Sequence, residues 1–169
     1  KIEQYVEMVL GYLRTEDMSS DLKLSRCSLD RIIRDQIHKY AGIFVSKKLT
    51  LTYESISQDV LTDEKWLGFV IGQILSNALK YTPSGTVAVG WEQGQLCIRD
   101  TGIGIAPEDL PRIFEKGYTG CNGRADKRST GIGLYLCRQI MEKLSHTIRI
   151  ESEMGVGTKV YLGLDTVSL

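Results

Sequence analysis

Several common chemistries have no foothold in this 169-residue chain. Its four cysteines, Cys27, Cys97, Cys121 and Cys137, are scattered without a C-x-x-C pair. That argues against a zinc ribbon or disulfide framework and for reduced thiols. Two histidines, His38 and His146, stand without a metal-ligating partner at useful spacing, and no Ser-His-Asp or Cys-His set is present; both read as structural or surface residues. Lys+Arg and Asp+Glu balance at 21 each, so no overall field recruits nucleic acid or an anionic membrane. No apolar run approaches the roughly 20 residues of a membrane-spanning helix, and no signal peptide is expected within these residues. There is no G-x-x-x-x-G-K-[ST] phosphate loop, no internal repeat and no low-complexity segment.

The chain does have the means to fold. A hydrophobic content of 42% with 25% charged residues is that of a soluble globular protein, and the length suits one domain with a short appendage. Apolar positions Ile2, Tyr5, Val6, Val9, Leu10 and Leu13 form a helical stripe that continues to the first residue, and a polar stretch from Asp17 to Asp21 reads as a linker. A short strand is expected at Leu24 to Ser28, a helix from Leu29 to Lys47 and a strand from Leu49 to Glu54. Thr62 or Asp63 is a plausible N-cap for a helix reaching Tyr81, where Pro83-Ser84-Gly85 breaks it. Strands Thr86 to Trp91 and Gln95 to Asp100 join through Gln93-Gly94 as a hairpin. Pro107 opens a short helix to about Phe114, residues 115–130 form a long glycine-punctuated loop, and Gly131 to about Leu144 is helical. A last strand pair, Thr147 to Ser152 and Thr158 to Leu164, turns through Gly155-Val156-Gly157. The expectation is an α+β fold: a two-layer sandwich with helices on one face of a mixed, mostly antiparallel sheet.

Three stretches carry chemistry. In the helix ending at Tyr81, Gln73, Asn77 and Lys80 form a polar line beside an apolar stripe. A solvated face explains such a line, but an amide oxygen with a cation one turn away also suits Mg²⁺ and phosphate, because Mg²⁺ draws most of its shell from water and phosphate oxygens. Asp100 ends a strand and enters Gly102-x-Gly104. This is either an Asp-initiated turn or a place where glycines admit a ligand to the backbone while the carboxylate accepts from an exocyclic amine such as adenine N6. Ser129-Thr130-Gly131-x-Gly133 opens a helix whose free N–H groups suit phosphate, or is simply a capped helix start. Between the last two, the loop carries Lys116, Arg124, Lys127 and Arg128, and a lid over a triphosphate is its natural reading.

Together and in this order, the stretches resemble the ATP-binding (Bergerat-type) fold shared by DNA gyrase, heat-shock chaperones, histidine kinases and mismatch-repair ATPases. Gln73 to Tyr81 is similar to that family's N-box and Asp100 to Gly104 to its G1 box. Phe114-Glu115-Lys116-Gly117 resembles the F-box, Gly131-Ile132-Gly133 the G2 box, and Gly155-Val156-Gly157-Thr158 the final glycine box. Gln-Ile-Leu-Ser-Asn-Ala-Leu-Lys-Tyr-Thr resembles a bacterial sensor histidine kinase, and the wording around it the Gram-positive kinases that monitor peptide antibiotics or envelope stress.

The resemblance implies ATP and Mg²⁺ as cofactors, with Asn77 as metal ligand and, with Lys80, the catalytic pair. Lys80 and Tyr81 face the phosphates, and Asp100 the adenine amine. Gly102, Gly104, Ile105, Lys116, Thr130, Gly131, Ile132, Gly133 and Leu134 shape the pocket, and Thr158 lies near the base. It also implies a cytoplasmic domain of a membrane-anchored, homodimeric sensor with a response regulator as partner and no direct nucleic-acid contact. The family's ATPases carry a Glu at the position of Gln73 as base for the attacking water; an amide cannot take that proton, which favours transfer to another nucleophile. No phosphoacceptor-histidine motif is present, and His38 lies inside the catalytic region. Residues 1–20 are therefore expected to be the end of the second helix of a dimerisation hairpin plus linker, and residues 21–169 the catalytic domain. This chain alone is expected to bind ATP without autophosphorylating. Two alternatives have the same fold: a protein-binding module of the anti-sigma type, and a gyrase-type ATPase.

Overall fold

The computed structural model describes residues 22–120 and 132–167. The expected helix over the first residues and the loop positions Cys121 to Gly131 lie outside them. Strand β1 (Ser25–Ser28) runs directly into helix α1 (Leu29–Ser46), where the Ser28 hydroxyl accepts from the Arg31 amide at 3.3 Å. Leu29, Ile32, Ile33, Tyr40 and Phe44 make the buried stripe of α1. Strands β2 (Thr50–Tyr53) and β3 (Asp59–Thr62) lead to helix α2 (Glu64–Tyr81). Asp63 caps α2: its carboxylate accepts from the amides of Lys65 and Trp66 at 3.0 and 3.2 Å and, through its other oxygen, from Lys23 at 2.9 Å. Strands β4 (Thr86–Glu92) and β5 (Gln95–Asp100) form the expected hairpin, with Gln93 and Gly94 both at positive φ. Helix α3 (Gly133–Lys143) and strands β6 (Thr147–Glu153), β7 (Gly157–Gly163) and β8 (Thr166–Val167) complete the chain.

The main sheet has the order β2-β4-β5-β7-β6; β2 and β4 are parallel and the other neighbours antiparallel. Alternation decides its faces. Val87 and Val89, Leu96 and Ile98, and Val160 and Leu162 point inward and are buried in one core with Leu67, Ile71 and Leu75 of α2 and Ile140 and Met141 of α3. The opposite face presents Arg99 and Arg149, and there Tyr161 is buried beneath the Arg149 guanidinium, 4.1 Å from its ring centroid. The layers are those expected.

Two details differ from expectation. A second, antiparallel sheet, β1-β3-β8, sits beside the first and is tied to it by a 3.0 Å contact between His146 Nε2 and Thr62 Oγ1. Its strand β3 spans four residues and its β8 two, too short for an alternation signal. The helix expected from Pro107 to Phe114 contracts to a 3₁₀ turn at Leu110–Arg112. Pro111 lies in its middle, where it supplies no N–H and its ring opposes a continuing α-helix.

Candidate functional site

Strand β5 delivers Asp100 to the end of the sheet, beside Thr158 of β7, its register partner. The two strands close to backbone contact there. Gly157 has φ +144°, and a Cβ on it would lie 2.0 Å from the Asp100 carbonyl oxygen, so a side chain has no room. Beyond Asp100 the chain leaves the sheet and is pinned on two sides. The Ile103 amide donates to the Tyr81 carbonyl at 3.0 Å, binding the segment to the end of α2. The Gly155 amide donates to the Ile103 carbonyl at 2.9 Å, and the Ile105 amide to Ser152 Oγ at 2.8 Å, binding it to the β6–β7 turn. Ser152 is the junction of this region. Its hydroxyl also contacts the Gly157 carbonyl at 3.0 Å and Thr158 Oγ1 at 2.8 Å. A hydroxyl has one proton; with that proton on the Gly157 carbonyl, Thr158 is the donor to Ser152.

The Asp100 carboxylate is half-buried, and its Oδ1 accepts from the Gly102 amide at 2.9 Å. Burial pushes its pKa above the ordinary carboxylate value. The amides of Gly102 and Thr158 and the hydroxyl of Thr82 oppose that shift by favouring the charged form. Such a carboxylate is a directed acceptor in a partly dry site, suited to an N–H donor on a ligand.

On α2 the expected polar line is graded rather than uniform. Gln73 is buried, Asn77 half-buried and Lys80 exposed. Gln73 faces the start of α3, where a Cβ on Gly133 would lie 3.2 Å from its Oε1. The Asn77 side chain makes no hydrogen bond with the described residues, so its amide oxygen is available as a hard donor. The Lys80 ammonium sits 5.2 Å from the Tyr81 ring centroid. Among the described residues, no group of three or more His, Cys, Asp and Glu side chains gathers as a metal cage.

The structure thus brings Asp100, Gly102, Gly104, Ile105, Tyr81 and Thr158 into one hydrogen-bonded region, with Asn77 and Lys80 on the helix that ends in it. Ile132 and Leu134 are half-buried at the start of α3. Lys116 is exposed in the turn segment after Phe114. Thr130 and Gly131, with Arg124, Lys127, Arg128 and Ser129, lie outside the described residues. Two members were not expected from sequence, Ser152 and Thr82. Ser152 sits in a strand with no motif around it, whereas Thr82 directly follows the Lys80-Tyr81 pair and could have been singled out.

The model of the family described as histidine kinase-, DNA gyrase B-, and HSP90-like ATPase matches residues 62–168. Among curated proteins, the chain is 35% identical to the sensor histidine kinase YxdK of Bacillus subtilis, over 95% of this chain and 51% of that protein. It is 35% identical to the sensor protein BceS of Bacillus subtilis, over 94% and 48%, and 34% identical to the sensor protein kinase GraS of Staphylococcus aureus, over 96% and 48%. The chain spans about half the length of these relatives. Among solved structures, full-length ShkA in complex with AMPPNP superposes with a TM-score of 0.78 at 20% identity, covering 97% of this chain and 35% of that one. The nucleotide-free catalytic domain of histidine kinase ThkA superposes with a TM-score of 0.70 at 17% identity, covering 85% and 95%. At these identities the superpositions establish the fold.

Proposed function

The chain belongs to the family of histidine kinase-, DNA gyrase B-, and HSP90-like ATPases, and on that premise we propose that it is the ATP-binding catalytic domain of a sensor histidine kinase. In the full-length protein it would transfer the γ-phosphate of ATP to a histidine. The observation that carries this reading is the half-buried Asp100 carboxylate, held by the Gly102 amide next to a backbone that leaves no room for side chains. A charged acceptor at the end of a pinned strand suits the exocyclic amine of adenine and disfavours a base presenting a carbonyl there.

The remaining roles follow from chemistry and placement. Asn77 would hold Mg²⁺ through its amide oxygen; its lack of a hydrogen bond to any of the described residues fits a single-oxygen contribution. The cation would supply charge neutralisation between phosphate oxygens. Lys80 and Tyr81 would lie toward the phosphates, as would Lys116 and the backbone of Thr130 to Leu134. Gln73 is an amide buried against α3, unable to act as a general base toward water, and this supports phosphotransfer over gyrase-type hydrolysis. Residues 1–20 are read as the end of a dimerisation helix and its linker. The partners would be the protein's own phosphoacceptor hairpin in a homodimer and a response regulator, and the domain would lie on the cytoplasmic side of a membrane-anchored sensor. No described helix is long and apolar enough to cross a membrane.

Thermal unfolding with and without Mg²⁺ and a non-hydrolysable ATP analogue tests the core of this proposal. Ligand at about a hundredfold its dissociation constant should stabilise the chain by ~2.7 kcal/mol. The absence of a shift, or a shift undiminished by Asp100→Asn, would overturn it.

A further inference from the structure

Thr82 is the C-cap of α2, the residue at which the helix hands the chain to the Pro83-Ser84-Gly85 break. It is fully buried, and its Oγ1 is one of two buried side-chain polar atoms without a hydrogen-bond partner among the described residues. The other is His146 Nδ1, far from the site in sequence and tied to the small sheet. A buried hydroxyl left unpaired is costly and calls for an explanation in the molecule's work.

Its surroundings supply one. The position that a Cβ on Gly102 would occupy is 2.8 Å from Thr82 Oγ1, 2.9 Å from Asp100 Oδ1 and 2.3 Å from the Tyr81 carbonyl oxygen. The hydroxyl and the carboxylate therefore flank the same side of Gly102, and the missing side chain there lets them approach. The Tyr81 carbonyl is already the acceptor for the Ile103 amide. The hydroxyl favours the charged carboxylate, yet it has no hydrogen-bond partner among the described residues. It is an uncommitted donor beside an ionisable acceptor.

We infer that Thr82 is a positioning residue for base recognition: when a nucleotide seats, its hydroxyl donates to the Asp100 carboxylate and fixes the orientation in which that group accepts the exocyclic amine of the base. Thr82 acts through Asp100 and does not itself touch the ligand. The inference rests on the reading of Asp100 as the adenine acceptor, and its test keeps the two apart.

The experiment measures calorimetric binding, with Mg²⁺, of a non-hydrolysable ATP analogue and of the matching purine-riboside nucleotide, which lacks the 6-amino group. Four proteins are compared: the parent chain, Thr82→Val, Thr82→Ser and Asp100→Asn. Thr82→Val is nearly isosteric and removes an unpaired hydroxyl, so the unliganded protein should unfold at an unchanged or slightly higher temperature. It should bind the adenine nucleotide about tenfold more weakly, the scale of one hydrogen bond to a charged group, and the 6-unsubstituted nucleotide as the parent does. Thr82→Ser should behave as the parent. Equal weakening of both nucleotides by Thr82→Val would reduce Thr82 to pocket shape, and unchanged adenine binding would leave it without a role; either overturns the inference. If Asp100→Asn also binds the adenine nucleotide as the parent does, the reading of Asp100 fails first and this inference with it. If only Asp100→Asn weakens binding, the inference about Thr82 fails alone.

Discussion

Gly104 lies against the main chain of Glu153, at φ +77° and so close that a Cβ would sit 2.2 Å from the Glu153 carbonyl oxygen. The contact leaves no room for a side chain and the φ disfavours one, and the atom in the way is backbone, which has no rotamer by which to retreat. Gly104→Ala should therefore cost on the order of 3 kcal/mol, the sum of left-handed strain and overpacking. Gly94 provides the comparison: its φ is +73°, but nothing lies within 4 Å of its Cβ position. Gly94→Ala should cost only the strain, about 1 kcal/mol. Urea midpoints of the two variants check this; equal losses would show that the packing against Glu153 contributes nothing.

Asp63 serves two segments with one carboxylate, capping α2 and receiving the Lys23 amide. Asp63→Ala leaves three N–H groups seeking partners, and the expected loss is about 2 kcal/mol, the upper end for an N-cap. Asp63→Asn keeps an oxygen at the cap and should recover more than half of it. Denaturant unfolding of both variants decides; equal losses would mean that the cap is not the source of the stability.

His146 should make stability depend on pH. Burial depresses its pKa below the ordinary 6.5, with partial opposition from Asp165. Above about pH 6.5 the ring is neutral in both states and contributes no pH dependence. Below that, the unfolded chain takes up the proton first, so stability falls as pH drops from there toward the folded-state pKa. His146→Gln removes the titration while retaining a side chain able to bond Thr62. The loss of urea midpoint between pH 7.5 and 5.5 should be smaller in the variant than in the parent, and parallel losses would refute the assignment.

Nucleotide affinity should also carry a pH signature from Asp100. Its carboxyl titrates above the ordinary 3.8 because of burial, and only the ionised form is a full acceptor. Binding of the ATP analogue should weaken as pH falls through that raised value, and this component should vanish in Asp100→Asn. Titrations of both proteins at several pH values measure it. A variant whose pH dependence matches the parent's would place the effect elsewhere.

Much of this molecule is legible in its residue order, for a local reason. The stripes of α1 and α2, the Asp63 cap, the Gln93-Gly94 hairpin turn and the alternation of β5 and β7 all depend on residues within a few positions of one another. The ATP-binding motifs are legible for the same reason, since each is a short run whose glycines and polar groups keep fixed spacing. Their joint order was enough to indicate the family.

Tertiary structure decided what depends on partners distant in sequence. Strands β3 and β8 are too short to announce themselves and exist because β1 and β3 pair with each other and β3 with β8. The parallel pairing of β2 with β4 requires α2 to cross between them, which no local pattern encodes. Spacing put Gln73, Asn77 and Lys80 on one line, but in the folded chain the first is buried facing Gly133 of α3, the second half-buried and the third exposed. By itself the sequence determined helices α1 and α2, the Gln93-Gly94 turn and the polar groups carried by the family's motifs. Only folding determined which of those groups are desolvated and which stand side by side, as Thr82 does with Asp100, because burial and proximity are properties of the packed chain.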